Sequence, residues 1–134
     1  MHTKNDEVVC LFQDKVSQLL LRHRSILDTL SQHAESAIRV NKSITRTVTS
    51  CGCISVNARK QHIPPEVSLE DCRKYLHSHI EGSLCENCKE MVEEEMGNNL
   101  FYLAAICHLL DIQLDAIIKR EYNRLEALGF FHLS

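Results

Sequence analysis

Apolar residues recur through the first fifty positions of the chain in alternating steps of three and four. One heptad series runs from Val9 to Ile44, and a second runs from Phe12 to Thr47. A seam kept in phase over this length is typical of helices. It predicts either one long helix over residues 5–50 or two helices broken near Ser31. Two helices suit a small globular domain, whereas one long helix suits a dimer.

The next part of the chain loses the helical period. Residues 51–67 contain clustered Gly and Pro and no clean apolar repeat, so we expect a loop there. A loop of this length usually has a function or an anchor. Ser68 and Asp71 have the spacing of a capping box, which predicts a short helix that ends before Gly82.

Helical spacing returns in the last third of the chain. A second capping box begins at Ser83 and predicts a long helix that continues to about Leu110. After a tight connection, the apolar pattern predicts a last helix over about residues 114–128, followed by Gly129 in the position of a C-terminal cap.

These elements predict a single all-α domain over residues 1–134. We expect a helical bundle with a long N-terminal helix or helix pair and a cysteine-rich loop, within residues 51–88, that is stapled to the bundle. The chain has 134 residues, of which 44% are hydrophobic, and this is enough for one sizeable core. Only 4 Gly and 2 Pro are present, which disfavours a many-stranded sandwich or barrel.

Charge and composition narrow the range of partners. The formal net charge is −3, aromatic residues make up 5% and Trp is absent, so the composition predicts no nucleic-acid partner. The longest apolar runs, Val8 to Phe12 and Leu19 to Leu21, predict neither a membrane helix nor a signal peptide. We therefore expect a cytoplasmic protein, where close cysteines bind metal or perform redox chemistry.

Four of the 7 cysteines form two closely spaced pairs, Cys51 with Cys53 and Cys85 with Cys88. Two such pairs can supply the four thiolates of a tetrahedral structural zinc site. Gly52 allows a tight turn between the first two sulfurs. The second pair falls in a predicted first helical turn, where residues three apart share a face. The spacing therefore predicts a zinc ion that fastens the loop to the helices.

Other interpretations of the cysteines stay open. The two pairs could be ordinary small hydrophobes, or Cys85 and Cys88 could form a redox pair. Cys10 and Cys107 lie in apolar helical stretches, which predicts buried neutral thiols. Four nearby side chains are alternates in case one of the four cysteines is not a ligand, namely His62, Cys72, His77 and His79.

The stretch from Glu94 to Leu103, followed by the turn at Asp111 and another amphipathic segment, resembles the third and fourth helices of MazG-like nucleotide pyrophosphohydrolases. The chain as a whole also resembles a small bacterial family in which a MazG-like helical core carries the CGC and CENC pairs. The resemblance implies an all-α, commonly dimeric protein that hydrolyses nucleoside triphosphates to monophosphate and pyrophosphate. It also implies Mg²⁺ held by an EExxE motif on one helix and an ExxD motif on the next.

The chain departs from both motifs. Asn98 stands where the second carboxylate of the ExxD motif is expected, and the earlier helix offers only Glu35. Glu94 and Glu95 are the other carboxylates that carry over. Since Mg²⁺ needs several oxygen ligands and a triphosphate brings large negative charge, this loss predicts a catalytically degenerate protein. The acidic run Glu93–Glu95 is more typical of a solvated helix face than of a magnesium site.

The sequence thus predicts a homodimeric, zinc-stapled binding or regulatory module. One alternative is a Mg²⁺-dependent nucleoside triphosphate pyrophosphohydrolase with a nucleotide substrate, in which Glu94 and Glu95 hold the metal and Asn98 orients water or phosphate. Another alternative is a thiol redox protein.

Overall fold

The structure, a computed structural model, describes residues 4–20 and 25–129. Within these ranges the chain forms four α-helices and a two-stranded antiparallel ribbon. The predicted all-α class is confirmed. The helices are α1 (Lys4–Leu19), α2 (Ile26–Arg46), α3 (Glu86–Leu109) and α4 (Leu114–Leu128). The strands are β1 (Ile54–Val56) and β2 (Ile80–Gly82), and shorter turns are a π-helix (Thr47–Cys51) and a 3-10 helix (Asp71–Lys74).

α3 is the central helix of the fold. Its C-terminal half packs against α1 and against the start of α4, around a small core of buried side chains. Gln13 of α1 links α1 to the connection between α3 and α4. Its side-chain amide donates to the Ile112 carbonyl and accepts from the Leu114 amide, each at 2.8 Å. The second bond satisfies a backbone N–H at the start of α4. The core consists of Val16, Leu20, Ala104, Ala105, Cys107 and Leu114.

The N-terminal half of α3 packs antiparallel to α2. Ser36 faces Asn99, Arg39 faces Glu95 and, beyond the end of α2, Cys51 faces Cys85. The buried stripe of α2 consists of small hydroxyl side chains, which let the two helix backbones approach closely. Each hydroxyl donates to a backbone carbonyl three or four residues earlier. The stripe comprises Thr29, Ser36 and Ser43, and Thr47 at the start of the following π-helix continues it.

The break between the first two helices lies earlier than predicted. α1 ends at Leu19 and α2 begins at Ile26, so Ser31 lies inside a continuous helix. The heptad positions of α1 and α2 therefore do not all pack against the same neighbouring helix. In α2 the positions Leu30 and Ile44 are exposed, and the hydroxyl stripe faces α3 instead.

The prediction of a short helix after Ser68 is wrong. The Asp71 amide does donate to the Ser68 hydroxyl at 3.3 Å, but only one 3-10 turn follows. The chain then extends as β2 and pairs with β1, with Ile54 opposite Gly82. Pairing with a distant strand thus overrides the local capping signal, and the segment predicted as a loop contains β1.

In the described part of the chain, no single helix is long and apolar enough to cross a membrane. α3 and α4 reach that length and composition only as a pair, and they are bent by 104° relative to each other.

Candidate metal centre

The β-ribbon brings the two cysteine pairs together. Cys53 immediately precedes β1, and Cys85 follows three residues after β2 ends. Gly82 sits at the paired end of the ribbon with φ +87°, and a Cβ added there would lie 2.6 Å from the Cys53 carbonyl oxygen. Only glycine fits this backbone approach. The ribbon therefore fixes the position from which the chain continues into α3.

The first pair lies on a tight reversal at the end of α2. The π-helical turn ends at Gly52, which has φ +80° and donates its amide to the Thr47 carbonyl at 2.8 Å. This left-handed glycine turns the chain so that Cys51 and Cys53 face the same point. The Cys53 sulfur also lies 3.9 Å from the Thr47 carbonyl oxygen.

The second pair lies at the start of α3. Cys85 is the N-cap residue, and its sulfur accepts from the Cys88 amide at 3.4 Å. The helix thus begins at Glu86, later than the predicted capping box at Ser83, because a cysteine sulfur serves as the cap. Cys88 is buried, and the two side chains meet on one face of the first turn.

The four sulfurs form a compact group. All four lie within 4.8 Å of one another, and the Cys51 and Cys85 sulfurs are 3.9 Å apart. Tetrahedral Zn–S bonds of 2.3 Å imply sulfur–sulfur separations of about 3.8 Å. A disulfide bond would require about 2.05 Å, and all seven cysteines are free. The four predicted ligands, Cys51, Cys53, Cys85 and Cys88, could therefore bind one metal ion.

The four alternates do not join this group. His79 organises the loop instead: its Nδ1 accepts from the Arg59 amide at 3.1 Å, and its Nε2 lies 2.9 Å from the Gln61 amide nitrogen. His77 accepts a hydrogen bond from the His79 amide at 2.8 Å. His62 is exposed, and Cys72 lies half-buried in the 3-10 turn.

The thiols of the second pair differ in acidity. The Cys88 amide donates to the Cys85 sulfur and, together with the Cys88 thiol, lowers the pKa of Cys85 to about 7. The shared hydrogen bond with Cys85, followed by burial, raises the pKa of Cys88. Cys85 is therefore partly a thiolate at neutral pH, and thiolate is the form that binds metal. Arg46 lines the same groove as Cys51 and Cys88, so a positive charge lies near the centre.

The candidate carboxylates lie on the facing surfaces of α2 and α3, but a guanidinium is placed among them. Arg39 lies 3.8 Å from a Glu35 oxygen and 3.6 Å from a Glu95 oxygen. That Glu95 oxygen is buried and has no hydrogen-bond partner in the described part of the chain. Glu94 lines a groove of about 290 Å³ beside these residues. Asn98 is exposed, and its neighbour Asn99 is the residue that contacts α2.

Arg39 is a residue that the sequence analysis missed. The available signal is its position four residues after Glu35, which favours an ion pair on one helix. Its contact with Glu95 depends on the packing of α2 against α3, and no pattern of neighbouring residues in the sequence predicts it.

The remaining helical cysteines lie at the other end of the molecule. The Cys10 thiol donates to an Asp115 oxygen at 3.3 Å, and this bond raises the pKa of Cys10. Burial raises the pKa of Cys107. Cys107 is buried as predicted, whereas Cys10 is half-buried.

The fold and the sulfur cluster define an all-α protein with a four-cysteine site that could bind a metal ion. Comparisons with protein-family models, with curated proteins and with solved structures found no significant match.

Proposed function

We propose that this protein is a zinc-stapled binding or regulatory module, a catalytically degenerate relative of the MazG-like pyrophosphohydrolases. The group of four thiols carries the zinc part of the proposal. Four protein sulfurs complete a tetrahedral site and leave no position for water or substrate, which is typical of structural zinc.

The segment between the cysteine pairs needs an anchor. Its strands contain three residues each, and Ile54 is the buried hydrophobic side chain that the ribbon contributes. A two-stranded ribbon of this size is marginal by itself in water. Zinc would hold Cys53 before the ribbon and Cys85 after it, so the metal would supply folding free energy that the small core lacks.

Metal analysis of the purified full-length chain tests this proposal. We expect one zinc ion per chain that resists mild chelation, and mass spectrometry under native conditions would detect it. The competing thiol redox function is favoured by the lowered pKa of Cys85 and by the 3.9 Å between the Cys51 and Cys85 sulfurs. A metal-free protein with a reversibly titratable disulfide would support that function and exclude the zinc staple.

The arrangement around Arg39 supports the loss of hydrolase activity. The Arg39 guanidinium lies within 4 Å of both Glu35 and Glu95, where a hydrolase would need carboxylates free for Mg²⁺. Glu94 is the remaining candidate carboxylate, and a single carboxylate is a poor site for Mg²⁺ bound to a triphosphate. We therefore infer a protein that binds rather than hydrolyses.

We expect no pyrophosphate release when the protein is incubated with a panel of nucleoside triphosphates and Mg²⁺ or Mn²⁺. A coupled pyrophosphate assay measures this, with Glu95→Gln as the matched variant. Release at the background rate by both proteins is the expected result. Release by the wild-type chain that disappears in Glu95→Gln would instead establish the pyrophosphohydrolase alternative.

A further inference from the structure

The four sulfur-bearing residues of the candidate metal centre differ in their access to solvent. Cys88 is buried, Cys53 and Cys85 are half-buried, and Cys51 is exposed. The Cys85 sulfur also accepts a hydrogen bond from the Cys88 amide at 3.4 Å. Within the described part of the chain, no N–H group donates to the Cys51 sulfur, which lies 3.9 Å from the Cys85 sulfur. Because oxidation of cysteine follows exposure and thiolate character, Cys51 is the member of the group that an oxidant reaches first.

A groove between the end of α2 and the start of α3 leads to Cys51. Its volume is about 280 Å³, and its walls include the guanidinium of Arg46, the hydroxyl of Ser50 and the amide of Asn87. Arg46 has no carboxylate within ion-pair distance in the described ranges, so its charge faces the groove unpaired. All three side chains are hydrogen-bond donors. They can therefore orient a small polar oxidant beside Cys51 and stabilise the hydroxide that leaves it.

We propose that Cys51 is an oxidation site for hydrogen peroxide and that Cys85 resolves it, so that a disulfide between these two cysteines releases the metal. The inference rests on the proposed zinc site and names a regulation of that same site. It differs from the competing redox function, because the reduced protein holds zinc and only the oxidised protein is free of it.

The reaction balances with hydrogen peroxide as the oxidant. The Cys51 thiolate forms an S–O bond as the O–O bond of the peroxide breaks, which gives a sulfenic acid and one hydroxide. The Cys85 thiolate then forms the S–S bond as the S–O bond breaks, and a second hydroxide leaves. Each hydroxide takes a proton from solvent and becomes water. Two electrons pass from the two sulfurs to the peroxide, so neither sulfur remains a thiolate ligand.

The position of Cys85 selects it as the resolving residue. Its sulfur lies 3.9 Å from the Cys51 sulfur, and a shift of about 2 Å reaches the length of a disulfide bond. Zinc would then keep only Cys53 and Cys88, which are too few for a tetrahedral protein site. The disulfide still joins the end of the π-helix to the start of α3. We therefore expect the helices to stay folded while the metal leaves.

Peroxide treatment of the fully reduced, zinc-loaded chain tests the proposal. The chromophoric chelator 4-(2-pyridylazo)resorcinol measures zinc release, and peptide mass spectrometry locates the disulfide. We expect one zinc ion to be released for each disulfide formed, with Cys51 joined to Cys85. The far-ultraviolet circular dichroism of the helices should stay unchanged, and zinc should bind again after reduction by a thiol reagent.

Arg46→Gln tests the role of the groove, since it keeps all four thiols and removes the guanidinium. This variant should release zinc about fivefold more slowly than the wild-type chain at equal peroxide concentration. Lys89→Gln is the matched control, because Lys89 is exposed near the start of α3 and does not line the groove. It should release zinc at the wild-type rate.

The possible outcomes separate this inference from the zinc proposal. A reduced chain that holds zinc and keeps it under peroxide would overturn the inference and leave the zinc staple intact, as would a disulfide between Cys85 and Cys88. A reduced chain without zinc would overturn both. Equal rates for Arg46→Gln and the wild-type chain would overturn the role of the groove. The location of the disulfide in the wild-type chain decides the assignment of Cys51 even if Arg46→Gln does not fold.

Discussion

Replacing Cys88 by serine should remove the bound metal and lower the melting temperature by about 10 °C or more. Cys88 is the buried member of the sulfur group, and its amide also caps α3 through Cys85. A structural zinc ion contributes its binding free energy to folding, and about 3 kcal/mol corresponds to roughly 10–15 °C for a domain of this size. Zinc content by atomic spectroscopy and thermal unfolding by circular dichroism measure the two effects.

Cys72→Ser is the control for this experiment. Cys72 is a half-buried cysteine in the same inter-pair segment, but it lies outside the sulfur group. This variant should retain one zinc ion per chain and melt within a few degrees of the wild-type protein. If Cys88→Ser kept its metal and its melting temperature, the four-cysteine staple would be wrong. If Cys72→Ser lost the metal, the ligand set would have to include Cys72.

Gly82→Ala should destabilise the protein by about 2–3 kcal/mol and weaken metal retention. The added Cβ would lie 2.6 Å from the Cys53 carbonyl oxygen, and the backbone has φ +87°, so both sterics and strain oppose the change. The clash of the added Cβ can be relieved only if the two strands separate next to the first cysteine pair. We expect a melting temperature lower by roughly 10 °C and faster loss of zinc to a chelator.

Gly97→Ala provides a matched glycine substitution. Gly97 lies within α3, and a Cβ added there would meet no atom within 4 Å. Alanine should therefore stabilise the helix by roughly 0.5–1 kcal/mol. Equal effects of the two substitutions on the melting temperature would show that the close approach of Gly82 to Cys53 does not constrain the ribbon.

Local patterns were sufficient to predict three features of this chain. The apolar repeats predicted α3 and α4 closely, since amphipathic spacing reports a helix that buries one face. The two short cysteine spacings predicted which four thiols lie together. The distinction between these four and the distant Cys10 and Cys107 also followed from sequence position, because the latter sit in apolar helical stretches.

Long-range pairing decided the features that the local patterns did not show. Residues 54–56 and 80–82 carry no strong strand signal, and they become strands because each satisfies the backbone hydrogen bonds of the other. The same pairing explains why the capping signal at Ser68 yields only one turn. The cap at Cys85 likewise replaces the more conventional signal at Ser83.

The sequence by itself therefore determined the helical class, the two C-terminal helices and the cysteine pairs, because periodicity and short spacing are properties of neighbouring residues. Only the tertiary structure placed Arg39 between Glu35 and Glu95 and turned the Leu30 side of α2 outward. A heptad seam shows that a helix has an apolar stripe, but it does not identify the surface that covers it. Ion pairs between helices and the choice of a buried face depend on how whole elements pack.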